Sequence, residues 1–271
     1  MAEFDPLLKV FFPIGIPMSN EPGQPAIEEH VEISSVDLPT PSVALAIGAH
    51  PDDIEFGCGG TLAKWAAAGC VVHHLVLTDG SKGTWNPEAD IAALVSLRRD
   101  EQREAARRLG AQGEVLFLEQ VDGELEESPQ LRDRIVAVIR RLKPDVILGH
   151  DPWKRYRLHP DHRRAGFLTC DAIVAARDPH FSKHLDLPHH RPSHLLLWEA
   201  DTPDHGEDIH LTVEAKISAL LAHESQFEST MKAIESSELD RFSERMRIRI
   251  AENGRRMGRI GGEVFKKMSD I

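Results

Sequence analysis

Short, uninterrupted apolar runs that alternate with longer amphipathic stretches constrain this chain more than any other feature. The runs at 43–47, 71–77, 115–118, 146–148 and 195–198 are built mainly from Val, Ile, Leu and Ala, the pattern of strands covered on both faces. Helical patterns separate them. Residues 57–68 open on glycines and place Leu62, Trp65 and Ala66 on one face, 91–109 is heavily charged and stops at Gly110, and 131–142 is apolar at 131, 135, 138, 139 and 142. A further helix is expected at 161–176, then a Pro/His-rich loop over 181–193, a short strand near 208–211, and helices at 213–223 and 239–253. This alternation predicts an α/β fold, Rossmann-like and doubly wound, with a mostly parallel sheet in a three-layer α/β/α arrangement. Right-handed crossovers in the strand order 3-2-1-4-5 place the first and fourth strands side by side at the reversal point, where open sheets bind ligands.

Two tetrads follow those two strands: His50-Pro51-Asp52-Asp53 and His159-Pro160-Asp161-His162. The topology brings them together at the carboxyl end of the sheet. A hydrolytic zinc site draws three ligands from His and Asp/Glu and leaves a position for water. His50, Asp53 and His162 can supply the three. Asp52, adjacent to a ligand but pointing elsewhere, suits a base that takes a proton from the attacking water. His159 suits a group that hydrogen-bonds or protonates the oxyanion and leaving nitrogen of a tetrahedral intermediate. For Asp161 two readings stay open: an acceptor that orients a neighbouring histidine, or a cap on the helix beginning at His162.

The segment Ala49-His50-Pro51-Asp52-Asp53, with Glu55 and Gly57-Cys58-Gly59-Gly60-Thr61-Leu62, resembles the opening motif of the PIG-L/LmbE-like N-deacetylases, and His159-Pro160-Asp161-His162 resembles their second motif. The likeness takes in Leu77-Thr78-Asp79-Gly80, Arg98, Asp122-Gly123 and His223-Glu224-Ser225-Gln226, and so runs from about residue 43 to 226. It implies a zinc-dependent hydrolase, with iron(II) open as an alternative occupant, that removes the acetyl group from an N-acetylglucosamine unit or a related amide of a small glycoside or glycoconjugate. It also implies that His50, Asp53 and His162 are the ligands, Asp52 the base, His159 the oxyanion partner, and Arg98 and Asp122 the residues that hold sugar hydroxyls. The segment 151–158 is bulkier and more basic than the glycine-rich version in some members, and Tyr156 is left out of the catalytic set.

Two other functions compete for the same residues. Two histidines and a carboxylate also describe non-haem iron oxygenases, which generally use a β-jelly-roll scaffold, and a non-catalytic, metal-stabilised binding module needs no base. A dinucleotide site is excluded because Gly57-Cys58-Gly59-Gly60 lacks the Gly-x-Gly-x-x-Gly spacing.

Composition narrows the partners. A net charge of -12 argues against a nucleic-acid surface. No apolar run reaches the roughly 20 residues of a membrane span, and Leu7 to Met18 follows Glu3 and Asp5 rather than a basic leader. These features predict a cytoplasmic protein acting on a small-molecule sugar conjugate, with homo-oligomerisation left open. The three cysteines, Cys58, Cys70 and Cys170, form no Cys-x-x-Cys pair and read as buried thiols. Residues 1–40 hold seven acids against Lys9 and are rich in proline, so an N-terminal arm is expected there, with the deacetylase-like domain over 41–230 and a helical extension over 231–271. The arginines at 241, 245, 247, 249, 255, 256 and 259 read as a solvated face answering that acidity. Substrate selectivity is expected in the loops at 81–90, 152–158 and 179–193, the last as a solvent-facing lid.

Overall fold

Neighbouring residues in the central strands serve opposite layers, which is why the strands are apolar throughout. In a computed structural model that describes residues 33–271, β2 (Val43–Gly48) buries Leu45 and Ile47 on one face and Ala44 and Ala46 on the other. The stretch 1–32 of the expected arm lies outside the described residues.

The first face packs on α3 (Pro129–Leu142) and α4 (Pro160–Arg177), through Ile135, Ile139, Leu168 and Ile173. Opposite it lie α1 (Asp53–Ala67), α2 (Ile91–Arg108) and α5 (Val213–Leu220), contributing Leu62, Trp65, Ala105 and Ala219. Each fully buried Leu or Ile contributes about 1.5–3 kcal/mol over an exposed one. The layers therefore follow from the two-sided apolar pattern.

Strands β3 (Val71–Thr78), β4 (Val115–Gln120), β5 (Val146–His150) and β6 (His194–Trp198) run parallel to β2 in the order β4-β3-β2-β5-β6. This is the expected 3-2-1-4-5 arrangement. The reversal lies between β2 and β5, where Ile47 is opposite Gly149.

Beyond β6 the sheet departs from expectation. The tail over 231–271 is helical only in α6 (Ser236–Arg255); Gly262–Ser269 forms β8, which enters the sheet antiparallel to both β6 and β7 (His205–Asp208). Its charged Lys266 and Lys267 hide a strand whose Phe265 is fully buried. The strand expected at 208–211 occupies 205–208 instead, because its partners are β8 and the two-residue β1 (Ser35–Val36) at the sheet edge. The observed architecture is thus one mixed, mostly parallel sheet of eight strands between helical layers, unlike a β-jelly-roll. Among the described residues, no helix is long and apolar enough to cross a membrane.

Candidate metal centre

Both tetrads leave the sheet at the reversal point, and their side chains meet there. His50 follows β2, Asp53 begins α1, and His162 lies in the first turn of α4. His50 Nδ1 is 3.2 Å from His162 Nε2 and 3.3 Å from Asp53 Oδ2, and His162 Nε2 is 3.2 Å from Asp53 Oδ1. Donors about 2.0–2.1 Å from one tetrahedral zinc ion stand roughly 3.3–3.4 Å apart. The spacing fits the ion, and the donor types are those zinc takes.

Histidine hydrogen bonds decide which ring nitrogens are available. The Nε2 of His50 is 3.1 Å from Asp161 Oδ2 and 3.1 Å from Asp122 Oδ1. A proton on Nε2 serves those carboxylates and leaves the Nδ1 lone pair facing the cluster, the usual support for a metal-bound histidine. Asp161 also accepts the backbone N–H of Gly123 and Leu125. It therefore orients His50 and does not cap α4, settling the two readings in favour of the first. Burial opposes the charged form of His50, but Asp122 and Asp161 outweigh it and hold its pKa well above the usual value.

A neighbouring histidine, His150 at the end of β5, also reaches the cluster: its Nε2 is 3.1 Å from Asp53 Oδ2, so Asp53, His150 and His162 form a second group with metal-binding spacing. The indole N–H of Trp198 donates to His150 Nδ1 at 3.0 Å. Because indole is only a donor, the proton of neutral His150 sits on Nε2 and points at Asp53. His150 thus orients the Asp53 carboxylate. The same reasoning applies to His162, whose Nδ1 accepts from Arg157 Nη1 at 2.9 Å. Binding a cation through His162 Nε2 moves the ring proton to Nδ1 and requires Arg157 to release it. The fully buried Trp198 has no such freedom, whereas Arg157 sits on the loop between β5 and α4.

The expected base lies beside the cluster. Asp52 is buried, and its carboxylate accepts no hydrogen bond from the described residues; Arg98 Nη2 is 3.6 Å away. Burial raises the Asp52 pKa against the pull of Arg98, to about 6. Asp53 moves the other way: burial would raise it, but His162 and His150 hold it well below the carboxylate range. Asp52 takes a backbone φ of 106°, a left-handed conformation that costs a non-glycine residue of order 1–3 kcal/mol.

His159 stands over the cluster with its ring 4.6 Å from that of His50 and 4.8 Å from that of His162, and makes no side-chain hydrogen bond among the described residues. Burial, then His50 and His162, lower its pKa, which favours the neutral ring. Arg98 is buried and donates to the carbonyl oxygens of Gly80 (2.8 Å) and Pro51 (2.6 Å). Gly80 has a φ of +67°, and a Cβ there would fall 2.7 Å from Arg98 Nη1, so a side chain at residue 80 would displace the guanidinium.

All seven expected site residues line one cavity of about 490 Å³. Of the three loops expected to shape it, only 81–90 does so, through Lys82, Gly83 and Trp85. The loop at 152–158 touches His162 through Arg157 but does not line the cavity. The one at 179–193 is not a lid: it joins the end of α4 to the start of β6 and so lies at the amino ends of the strands, opposite the site. Gln226, Ser229, Thr230 and Arg249 of α6 line the remaining wall. Most arginines of the tail pair with Glu214, Glu238, Glu244, Glu252 or Asp208, as a solvated face should. Arg249 instead faces the cavity, a role its basic neighbours concealed. His150 was equally hidden, and its position at the end of the fourth core strand was the available signal.

Comparison with known proteins identifies the family. Residues 45–173 match the PIG-L model, described as GlcNAc-PI de-N-acetylase. The chain is 38% identical over 186 residues to a diacetylchitobiose deacetylase of Thermococcus kodakarensis, covering 68% of this chain and 69% of that one. It is 35% identical over 158 residues to the 1D-myo-inositol 2-acetamido-2-deoxy-alpha-D-glucopyranoside deacetylase of Rhodococcus jostii, covering 49% of this chain and 53% of the relative. The solved N,N'-diacetylchitobiose deacetylase of Pyrococcus horikoshii superposes with a TM-score of 0.76 at 30% identity, over 84% of each chain. With its sheet order, paired tetrads and these relatives, the chain belongs to the PIG-L (LmbE-like) deacetylase family.

Proposed function

We propose that this protein is a zinc-dependent N-deacetylase that releases acetate from an N-acetylglucosamine unit of a small glycoside or glycoconjugate. The observation that carries the reading is the convergence of His50 Nδ1, Asp53 and His162 Nε2 at 3.2–3.3 Å beside the Asp52 carboxylate, which accepts no hydrogen bond from the described residues. The names of the relatives supply the substrate class: diacetylchitobiose and a GlcNAc-inositol.

His50, Asp53 and His162 hold the ion. Zinc in such a site polarises the attacking water and the amide carbonyl. Asp52, with a pKa of about 6 before any cation is bound, is ionised near neutrality and takes the proton of the attacking water. His159 donates a ring N–H to the oxyanion of the tetrahedral intermediate, and the proton collected by Asp52 is available to the departing amine. Arg98, 3.6 Å from Asp52, and Asp122, 3.1 Å from His50, hold hydroxyls of the sugar, while Trp85 and Arg249 at the cavity wall contact the group beyond it. The sheet excludes the jelly-roll expected of an iron oxygenase, and a buried base beside the ligands has no use in a merely metal-stabilised binding module.

The test is acetate release from a panel of N-acetylglucosaminides that differ in aglycone, with zinc-loaded and chelator-treated protein. Acetate from at least one glycoside, abolished by chelation and restored by zinc, is the expected result. Turnover indifferent to chelation, or none across the panel, contradicts the proposal.

A further inference from the structure

Among the described residues the Asp52 carboxylate has no hydrogen-bond partner, so its direction is set by the backbone that carries it, and that backbone is held in a conformation an aspartate seldom adopts. Both polar ends of the Pro51–Asp52 peptide are gripped from α2. The carbonyl oxygen of Pro51 accepts from Arg98 Nη2 at 2.6 Å, and the N–H of Asp52 donates to Gln102 Oε1 at 3.0 Å. Residues 98 and 102 are one helical turn apart and project side by side, matching the two ends of one peptide plane.

Gln102 is itself held. It is fully buried, and its Nε2 donates to Glu55 Oε1 at 2.7 Å, while Glu55 Oε2 lies 3.2 Å from His223 Nε2. An amide with Nε2 committed to a carboxylate must turn Oε1 the other way, toward Asp52. Glu55 sits in the first turn of α1, directly after the tetrad. The carboxylate that fixes the amide and the peptide that the amide fixes therefore move as one unit.

We propose that Arg98 and Gln102 form a two-point clamp on the Pro51–Asp52 peptide, and that Gln102, locked by Glu55, is a positioning residue that aims the Asp52 carboxylate. The proposal rests on the deacetylase reading for Asp52 as base. It adds Gln102 and Glu55, which touch neither metal nor substrate.

Gln102→Met keeps the side-chain length and removes the hydrogen bonds to Asp52 N–H, Glu55 Oε1 and His74 Nδ1; Gln102→Asn, which keeps an amide too short to span Asp52 and Glu55, serves if the first variant does not fold. Three quantities are measured on the folded variant: kcat and KM for the best glycoside, zinc content, and the Asp52 backbone in a crystal structure. A misaimed catalytic group costs roughly 100-fold for about 1 Å of displacement. The clamp predicts kcat lower by about 10- to 100-fold with KM and zinc content unchanged, and an Asp52 φ that leaves the left-handed region. A merely structural role lowers the melting temperature and leaves kcat alone. The clamp is overturned by kcat within about threefold of the parent, or by a fall in kcat with the Asp52 peptide still in place. A parent protein that releases no acetate overturns the deacetylase reading instead, and a turned peptide in the variant then still supports the clamp.

Discussion

Two buried ionic clusters flank α1, and only one has the form of a site. Beneath α1 and α5 Glu263 of β8 is nearly inaccessible, yet each of its oxygens is satisfied: Oε1 by Gly60 N–H (3.0 Å) and Lys216 Nζ (2.5 Å), Oε2 by the N–H and hydroxyl of Thr61 (2.8 and 2.6 Å). Lys216 also donates to the Phe56 carbonyl. Every polar atom there points at another. Around His50, by contrast, three metal-ligating atoms meet at one place on the wall of a cavity, and the Asp52 carboxylate has no hydrogen-bond partner among the described residues. Burial of charge is common to both clusters, so burial does not mark function. The mark is a set of metal-ligating atoms converging on one point of a cavity wall, beside a buried carboxylate that accepts no hydrogen bond from the described residues.

Substitutions separate the two clusters. The largest effect is expected for His162→Ala, which removes a ligand without removing bulk from the core. Elemental analysis after dialysis should show most of the metal gone and acetate release gone with it, and full retention means that the ligand set is wrong. Asp52→Asn should keep metal and melting temperature while turnover falls by about 10²–10⁴-fold; near-normal turnover removes Asp52 from the chemistry. Glu263→Ala leaves Lys216 charged and unpaired in the interior, so denaturant unfolding should show a loss of about 3–5 kcal/mol, with turnover per folded molecule and zinc content unaltered. If activity falls more than stability, the Glu263 cluster is not purely structural.

Smaller effects sharpen the contrast. Trp198→Phe takes the donor away from His150 and frees the ring that orients Asp53. Chelator competition should then report metal affinity weaker by about 10-fold, and an unchanged affinity denies His150 its supporting role. The smallest expected effect lies at the sheet edge, where Lys64 is ion-paired with Glu207 and with Asp37. Burial alone would lower its pKa, but those acids raise it above 10.5. A raised folded value means stability fully present below 10.5 and lost as pH climbs through the higher value. Lys64→Met should therefore blunt the alkaline fall in melting temperature, by under about 1 kcal/mol after solvent screening, and an identical pH profile refutes the pairing.

What the sequence made legible follows from how local each signal was. The strands at 43–47 and 146–148 announce themselves by continuous apolar runs, and handedness rules place them together, so the meeting of His50, Asp53 and His162 could be inferred before any coordinates. Gln102 and Trp198 could not. Each acts through a contact about fifty residues away in the chain, Gln102 on Asp52 and Trp198 on His150, and neither sits in a distinctive motif. Strand β8 escaped because its edge carries Lys266 and Lys267, while its central position depends on partners at 194–198 and 205–208. The misplaced lid at 179–193 had a different origin. Its Pro/His-rich composition suggested a solvent-facing lid, but a connection from a helix to the next parallel strand must emerge at the amino end of the sheet, and topology outranks composition there.

The central claim is that one cation is held by His50, Asp53 and His162, with His150 outside the ligand set. Anomalous diffraction at the zinc edge from crystals of the zinc-loaded protein tests it most directly. The account predicts a single strong peak about 2.0–2.2 Å from His50 Nδ1, an Asp53 oxygen and His162 Nε2, with Arg157 withdrawn from His162. A peak coordinated by His150 in place of His50, or no peak between the two tetrads, contradicts it.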